Sequence, residues 1–385
     1  MRICGIICEF NPFHNGHKYL LQRAKELSGC DKILCIMSGS FTQRGDICVS
    51  DKFTRARHAI LCGADGVIEL PAAFAVAPAE IFARGAIKIL SSIPEVTTLA
   101  FGCESADTDF INAARLLNEE SGQFKTVLSE KLAAGESYIR SYAAAFEACG
   151  GEKNLLTRPN NILGVEYAKA IFKLKSKIQI LPIERIGAEY GDTELKLNFS
   201  SASAIRNNPN NPLIKDNLPD CVFAGFKDFS EETSRFEELL RFKLLQSASE
   251  NLQKIYGCNE GLENKLISSA SLPFGEIIES ATARRYSASR IKRILCANLL
   301  DLYSDDCESY LQSSLYIKPL AVKKDDAQML SALAKSEFPV IMKQRDLNCL
   351  SQTAKKCFKT DKNAYKIWKF IAKQPESGFD YVKFI

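Results

Sequence analysis

The stretch ICGIICEFNPFHNGH occupies residues Ile3 to His17, and no other part of the sequence says as much about the architecture. Its first six residues, Ile3–Cys8, are an apolar run of the length expected for a strand buried on both faces. A polar loop follows, and His17–Leu27 then carries apolar side chains at helical spacing, ending near Gly29. The order strand, loop, helix predicts the first unit of a parallel α/β sheet.

The loop holds two of the three histidines of the chain, His14 and His17, with Gly16 between them. Ligands of open α/β sheets bind at the C-terminal ends of strands, where a helix N-terminus offers free N–H groups to phosphates. Two imidazoles three residues apart can donate to one triphosphate and stabilise charge on a pentavalent phosphorus. The pattern His-x-Gly-His after a first strand is the signature of nucleotidyltransferases that activate substrates as adenylates. The alternative is two structural histidines at a helix start.

Strands and helices alternate through the first two hundred residues, which favours a Rossmann-like sheet. The predicted strands are Ile3–Cys8, Lys32–Met37, Gly66–Leu70, Thr98–Phe101 and Lys177–Ile183. One predicted helix runs from Asp51 to Cys62 with Ser50 as its cap. Beyond the breaker cluster Asn207–Pro212 the periodicity is mostly helical. We therefore predict the α/β class, with a parallel-sheet nucleotidyltransferase domain over residues 1–206 and a mainly α-helical domain over residues 207–385.

A second motif, FSSASAIR, follows the fifth predicted strand at Phe199–Arg206. Hydroxyls such as those of Ser201 and Ser203 at a helix start can bind the β- and γ-phosphates, and Arg206 can neutralise charge that develops on pyrophosphate. We predict a catalytic role for Arg206 beside His14 and His17. Taken alone, the motif is equally well explained as a serine cluster that caps a helix.

Two further loops leave strand ends and are expected to face the same cleft. The loop Ser38–Asp46 lacks the ending of a phosphate-binding P-loop, yet Arg44, Lys52 and Arg55 could contact a phosphate or a second substrate. The alternative is a surface loop with solvated charges. At the end of the fourth strand, Gly102–Ser105 is expected to flank the adenine or the ribose.

Composition places the chain among ordinary globular proteins: 385 residues, 46% apolar residues, 50 Lys and Arg, and 46 Asp and Glu. No apolar run is long enough to span a membrane, and the run at the N-terminus stops at Glu9, too early for a secretion signal. The fourteen cysteines show no CxxC spacing, so we interpret them as reduced thiols in a cytoplasmic protein with no metal site.

The charge is unevenly distributed. From Ala281 to the end, 19 Lys and Arg stand against 11 Asp and Glu, whereas the preceding residues have a slight excess of acid. Residues Ala281–Leu300 hold five basic side chains and no acid, and these are Arg284, Arg285, Arg290, Lys292 and Arg293. Such a patch can track a nucleic-acid backbone. The alternative is a solvated face on ordinary helices.

Six blocks of sequence together resemble one known family, the bacterial tRNA(Met) cytidine acetate ligases. The blocks are GIICEFNPFHNGH, MSGSFTQRGD, DKFTRARHAILCGADGVIELP, FGCES, RPNNILGVEY and FSSASAIR, and the basic segment RRYSASRIKRIL adds to them. The resemblance implies an ATP-dependent ligase that joins acetate to AMP as acetyl-adenylate. It further implies acetylation of N4 of the wobble cytidine, C34, of elongator tRNA(Met), giving N4-acetylcytidine. ATP with Mg²⁺, acetate and this tRNA are the implied substrates and partners, and no membrane is involved.

The resemblance also implies which residues bind the nucleotide. These are Ile7, Cys8, Glu9, Phe10, Asn11, Pro12, Phe13, His14, Asn15, Gly16, His17, Lys18, Tyr19, Leu20, Gly102, Asn160, Asn161, Arg185 and Ile186. Two alternatives stay open. A small-molecule adenylyltransferase that transfers AMP to a phosphate-bearing metabolite would explain both motifs and leave the basic region unexplained. A non-enzymatic RNA-binding protein would leave the histidines and Arg206 without a role.

Overall fold

The computed structural model describes residues 1–187, 194–283, 285–376 and 378–385, apart from the side chain of Ile139. The strands among these residues are β1 (Ile3–Cys8), β2 (Lys32–Ser38), β3 (Gly66–Leu70), β4 (Val96–Cys103), β5 (Gln179–Glu184), β6 (Pro319–Val322) and β7 (Lys383–Phe384). They form one sheet in the order β5-β4-β1-β2-β3-β6-β7. The first five strands are mutually parallel, and β6 pairs antiparallel with β3.

Helices surround this sheet and make up most of the C-terminal half. In chain order they are α1 (Asn15–Ser28), α2 (Lys52–Leu61), α3 (Ala72–Ala75), α4 (Ala79–Ser91), α5 (Phe110–Glu119), α6 (Gly122–Ala133), α7 (Tyr138–Ala148), α8 (Pro159–Lys173), α9 (Ala202–Asn207), α10 (Ile214–Asn217), α11 (Asp220–Phe223), α12 (Ser230–Leu245), α13 (Ser249–Leu252), α14 (Leu262–Ser269), α15 (Phe274–Ala281), α16 (Ala288–Leu299), α17 (Ser304–Gln312), α18 (Ala327–Ala334) and α19 (Gln352–Ile371). Two short 3₁₀ segments, Leu155–Thr157 and Gln344–Cys349, complete them.

The strand order explains where a ligand can bind. Every residue of β1 and of β3 is buried, as expected for inner strands with helices on both faces. From β1 the chain proceeds outward to β2 and β3, and it then returns to place β4 on the other side of β1. A crevice opens at such a reversal, outside the C-terminal ends of the strands. The ends of β1 and β4 therefore mark the expected site, and these are the positions of the His-x-Gly-His loop and of Gly102.

The C-terminal half is tied to this sheet by hydrogen bonds as well as by strand pairing. The indole Nε1 of Trp368 in α19 donates to the carbonyl oxygen of Cys48 at 2.8 Å, and the phenol of Tyr365 bonds to the Asp51 carboxylate. An Asp361 carboxylate oxygen accepts from the N–H of Ala72 at 2.7 Å. Because β6 and β7 also come from this half, residues on both sides of position 206 share one sheet. The division into two domains there stays a prediction.

The α/β class is confirmed, and the five predicted strands exist with ends that differ by a few residues at most. The helix cap at residue 50 was wrong. The carboxylate of Asp51, and not the hydroxyl of Ser50, accepts from the N–H groups of Phe53 and Thr54, so that α2 starts at Lys52. A carboxylate in this position accepts two N–H groups at once and also favours the positive end of the helix dipole. The short strands β6 and β7 were not predicted.

All fourteen cysteines are free thiols, and most are buried. In the described part of the chain, no helix is long and apolar enough to cross a membrane.

Candidate active site

The loop after β1 delivers His14 to the start of α1. The Nδ1 atom of His14 accepts the main-chain N–H of Gly16 at 3.1 Å, and the main-chain N–H of His14 donates to Nδ1 of His17 at 3.3 Å. The pair thus satisfies free N–H groups at the helix start in the reciprocal manner of a capping box. The two imidazole rings stack with their centroids 3.7 Å apart. A single local arrangement therefore fixes the position of both rings.

Gly16 is required by this stacking. A Cβ at residue 16 would lie 2.9 Å from Cε1 of His14, closer than side chains approach. On the other side of the rings, Phe10 and Phe13 meet His17 with centroid distances of 4.9 and 5.6 Å. The glycine between the histidines, which the sequence suggested as room for a nucleotide, makes room for the first histidine ring.

Burial determines the charge of both rings, and the hydrogen bonds determine which nitrogen carries the proton. Burial, with the positive charges of Arg185 and Arg206, lowers the pKa of His14 to about 3. Burial and its neighbours His14 and Arg185 lower the pKa of His17 well below the ordinary value. Both rings are therefore neutral at pH 7, and since each Nδ1 accepts a hydrogen bond, each proton is on Nε2. The site thus holds two neutral N–H donors beside two arginines.

Arg206 joins the second motif to the first. Its Nη1 donates to the carbonyl oxygen of Asn11 at 2.6 Å, and its Nη2 lies 3.4 Å from Oγ of Ser203. The hydroxyl of Ser201 accepts from the N–H of Ala204 and so caps α9, which carries Arg206. The two motifs, nearly two hundred residues apart in sequence, thus form one wall of the site.

A second polar network lies at the end of β4. The carboxylate of Glu104 accepts from the main-chain N–H groups of Asn160 and Asn161 and, at 2.7 Å, from the Asn160 side chain. In return, Oδ1 of Asn161 accepts the N–H of Glu104 at 2.9 Å. Glu104 was expected to flank the adenine or ribose, but its carboxylate is engaged at the N-terminus of α8, where backbone N–H groups are unpaired. It fixes the asparagines rather than facing a ligand.

A cleft of about 440 Å³ opens at the reversal point of the sheet, and a smaller cavity of about 40 Å³ lies on the other side of His17. The predicted site residues that line the cleft are Ile7, Cys8, Glu9, Phe10, Asn11, His17, Leu20, Gly102, Asn160, Arg185 and the predicted catalytic Arg206. Four more line only the smaller cavity, and these are His14, Gly16, Tyr19 and Ile186. The others line neither cavity, and these are Pro12, Phe13, Asn15, Lys18, Asn161, Ser201 and Ser203.

Three of those outside the cavities are held by structural contacts. Phe13 is fully buried, and Asn161 is buried against Glu104. The side-chain amide of Asn15 donates to the carbonyl oxygens of Asn198 and Asp216, which ties the start of α1 to the segment around α9. These residues support the site without facing it.

The loop after β2 is closed by buried cations. Arg55 is fully buried and donates to the carbonyl oxygens of Glu9, Ser38 and Gly39. Lys52 is buried in an ion pair with Glu69, with Nζ 2.8 Å from both carboxylate oxygens. The expectation that these two cations contact a substrate was therefore wrong, because their donors are engaged within the protein. Arg44, in contrast, lines the cleft.

The basic helix α16 packs directly on this loop. Gly45 (φ +81°) has no room for a side chain, since a Cβ there would lie 2.5 Å from the backbone of Lys292 and Arg293. Lys292 pairs with Asp46 at 3.2 Å, and Arg293 lines the cleft, where burial lowers its pKa to about 10. The basic helix α16 of the C-terminal half therefore forms part of the cleft wall.

The remaining predicted RNA contacts differ in exposure. Arg290 donates from Nε and Nη2 to the carbonyl oxygen of Gly257, at 2.9 and 2.6 Å, and is thus engaged in holding a loop. Arg285 is exposed and makes a long ion pair, 3.8 Å, with Glu260. Arg284 lies outside the described residues.

Three contributors to this region were not singled out from the sequence. Asn217 is buried, and its Oδ1 accepts the N–H of Ser200 at 2.7 Å, which holds the second motif in place. Asp46 lies between Arg206 and Lys292, and Glu237 on α12 stands near Asp46 and Lys292. No sequence pattern marks an isolated asparagine or acid, since only the packing brings each to the site.

The described residues contain no group of three or more His, Cys, Asp or Glu side chains that could hold a metal ion. The thiol of Cys103, next to Gly102, has its pKa raised to about 12 by burial, so it stays protonated at neutral pH and is a poor nucleophile.

Known proteins resemble the chain over most of its length. The family model described as HIGH Nucleotidyl Transferase matches residues 1–380. Among curated proteins, the chain is 38% identical to the tRNA(Met) cytidine acetate ligase of Clostridium novyi, covering 89% of this chain and 90% of that protein. It is 35% identical to the protein of the same name from Acetivibrio thermocellus, covering 90% and 89% of the two chains.

Solved structures show the same relationship. Thermotoga maritima TmcAL in its apo form superposes with a TM-score of 0.91 at 30% sequence identity, over 100% of both chains. The structure of the same protein bound with alpha-thio ATP superposes with a TM-score of 0.87 at 29% identity, again over 100% of both chains.

Proposed function

Because the chain belongs to the tRNA(Met) cytidine acetate ligase family of HIGH nucleotidyl transferases, we propose that it activates acetate with ATP and transfers the acetyl group to tRNA(Met). The accepting atom is N4 of the wobble cytidine of the elongator tRNA, and the product is N4-acetylcytidine. The relatives carry this ligase name, and one solved neighbour holds an ATP analogue. The observation that carries the proposal is the pair of neutral histidines beside Arg206 and Arg185 at the reversal point of the sheet.

In the first step, an oxygen of acetate bonds to the α-phosphorus of ATP while the bond from that phosphorus to pyrophosphate breaks. The Nε2–H groups of His14 and His17 would donate to oxygens on the α-phosphorus, where negative charge builds up in the transition state. Neutral donors suit this task at any pH near neutrality. Arg206 would stabilise the departing pyrophosphate through its forked N–H groups.

In the second step, N4 of the cytidine bonds to the acetyl carbon, the bond from that carbon to the AMP oxygen breaks, and the amine proton passes to solvent. An acyl-adenylate released into water would hydrolyse, so transfer has to take place where it forms. This requirement is supported by the position of α16, whose Arg293 lines the cleft. Arg285 and Lys292, with Arg284 and Arg290, are proposed to contact the RNA backbone.

We propose that Mg²⁺ enters the site bound to ATP. Magnesium in nucleotide sites is commonly held by phosphate oxygens and water with one or two carboxylates, so a preformed protein cage is not needed. The half-buried Glu9 lines the cleft, where desolvation raises the pKa of its carboxyl and one oxygen accepts the N–H of Gln43 at 2.6 Å.

The test mixes the protein with ATP, Mg²⁺ and labelled acetate, with elongator tRNA(Met) or with the same tRNA carrying uridine at the wobble position. We expect label in the first RNA alone, recovered as N4-acetylcytidine after nucleoside digestion. Absence of label together with absence of acetate-dependent pyrophosphate release would overturn the proposal. Transfer of AMP to a phosphate-bearing metabolite would then explain the site better.

A further inference from the structure

A second cavity, of about 590 Å³, adjoins the cleft. The loop after β2 separates the two: Gln43 and Arg44 line the cleft, whereas Gly45 and Asp46 line the second cavity. Arg206 lines both. The far wall is the helix α12. The volume lies within the range of small-molecule sites, about 300–1,000 Å³.

Three aromatic rings contribute to the apolar part of the second cavity, together with aliphatic side chains. Phe229, Phe236 and Phe274 line it, and each is largely buried. The ring of Phe236 packs on Phe41 with a centroid distance of 5.4 Å, and that of Phe229 lies nearly parallel to Trp368. Rings held in this way offer fixed apolar surfaces, which suit a flat ligand.

One carboxylate in the second cavity has no hydrogen-bond or ion-pair partner among the residues that the structure describes. Glu237 on α12 is half-buried and lines the cavity, yet it forms no hydrogen bond or ion pair with any described residue. The other two acids that line the cavity are engaged: Asp46 pairs with Lys292, and Asp228 accepts the N–H of Ser230 at 2.9 Å. The carboxylate of Glu237 accepts hydrogen bonds only, so it is open to a donor that a ligand in the cavity brings.

These features together match a nucleobase that bears an amino group. RNA bases that are turned out of a loop stack on aromatic side chains and are read at their edges. A carboxylate is the acceptor that recognises the exocyclic amine of cytosine. Lys292 and Arg206, at the edges of the cavity, supply positive charge for the attached phosphates.

We propose that the second cavity receives the cytosine that is to be acetylated, and that Glu237 accepts a hydrogen bond from its exocyclic amine. This inference rests on the proposed function. Glu237 is thereby the residue that distinguishes cytosine from uracil, since uracil would turn a carbonyl oxygen toward the carboxylate and leave both acceptors unpaired. Arg206 lines both the cleft and the second cavity, so the base would bind beside the residue that is proposed to stabilise the departing pyrophosphate.

The experiment measures binding of two anticodon stem-loop RNAs, identical except for cytidine or uridine at the wobble position, by the wild type and by Glu237→Gln. We expect the wild type to prefer the cytidine RNA at least tenfold, and Glu237→Gln to reduce this preference to twofold or less, because an amide can donate to the uracil oxygen. The matched control is Glu238→Gln, an exposed neighbour on the same helix that does not line the cavity. It should keep the wild-type preference.

A general loss of structure would weaken binding of both RNAs, whereas the proposal requires a change in the ratio between them. A second variant, Ser234→Trp, fills the cavity from an exposed position and should lower kcat/KM for tRNA acetylation at least tenfold. An unchanged cytidine preference in Glu237→Gln, or full acetylation by Ser234→Trp, would overturn the proposal. Failure of the wild type to acetylate the tRNA at all would instead refute the proposed function, so the two failures are distinguishable.

Discussion

The guanidinium of Arg206 donates a hydrogen bond to the main-chain carbonyl oxygen of Asn11 at 2.6 Å, although 195 residues separate the two in the chain. This contact joins the second sequence motif to the loop that carries His14. It fixes the guanidinium between the cleft and the second cavity, since Arg206 lines both.

Replacing Arg206 by Lys keeps the charge and removes the forked donors. We expect acetate-dependent pyrophosphate release to fall by about 100-fold or more, the loss typical when one donor to a transition-state oxygen is removed. The measurement is kcat/KM for pyrophosphate release at saturating acetate. Arg57→Lys, an exposed change on α2, is the control and should retain full activity. Equal rates for the two variants would contradict a role of Arg206 in this step.

His14→Ala and His17→Ala each remove one neutral N–H donor. Each should raise the activation free energy of adenylate formation by about 2–4 kcal/mol. The loss should appear in kcat at saturating ATP, because the donors act on charge that develops only in the transition state. Unchanged turnover in both variants, with intact secondary structure by circular dichroism, would refute the assigned roles.

Because the buried histidines are neutral in the folded protein, we expect the free energy of unfolding to fall in acid. Burial, with Arg57 and Arg55 nearby, lowers the pKa of His58 to about 4, so the folded protein stays unprotonated there while the unfolded chain binds a proton below about pH 6.5. Stability contributed by this group is complete above pH 6.5 and declines as the pH falls from 6.5 toward 4. Each such histidine contributes a slope of up to about 1.4 kcal/mol per pH unit.

His58→Gln tests this contribution without touching the cleft. Denaturant unfolding at pH 7.5 and at pH 5.5 should show a smaller loss of unfolding free energy in the variant than in the wild type. An identical loss in both proteins would mean that His58 titrates normally in the folded state.

The close contact of Gly45 with α16 predicts that a side chain at residue 45 lowers the free energy of unfolding. Gly45→Ala combines an unfavourable positive φ with a clash against the backbone of Lys292 and Arg293, so it should displace the basic helix. Gly63→Ala is the matched control, because Gly63 also has a positive φ, but a Cβ there meets no other atom within 4 Å. Strain alone costs on the order of 1–3 kcal/mol. Chemical denaturation should therefore show a larger loss for Gly45→Ala.

Arg285 is exposed, and its ion pair with Glu260 is long at 3.8 Å, so its guanidinium is accessible to a phosphate of the RNA. Arg285→Ala should weaken tRNA binding and reduce the slope of log Kd against log salt by about 1. The control is Lys125→Ala, an exposed cation on α6. If both variants kept the wild-type slope, the proposed backbone contact at Arg285 would be wrong.

Much of the fold could be predicted from local sequence. The run Ile3–Cys8 became a fully buried strand, and the loop after it brought two histidines to a helix start. Such elements follow from periodicity and from the requirement to satisfy backbone N–H groups, which involve neighbouring residues only. The strands β6 and β7 were not predicted because a strand of only four or two residues has no pattern of its own and forms only through pairing with its neighbours.

The functional site, like the fold, could be predicted from the sequence only in part. Two sequence motifs predicted His14, His17 and Arg206 as site residues, and the sequence also showed the positive charge of the segment that forms α16. Tertiary structure alone decided that Lys52 and Arg55 are buried in contacts within the protein, and that Glu104 holds Asn160 and Asn161.

The sequence by itself determined the kinds of chemical groups present and the α/β alternation, since both depend on short stretches of chain. The tertiary structure decided which of these groups meet. It lowered the pKa values of the histidines through burial and brought Glu237 close to Asp46 and Lys292. Burial and long-range contact are properties of the packed chain, so no local pattern encodes them.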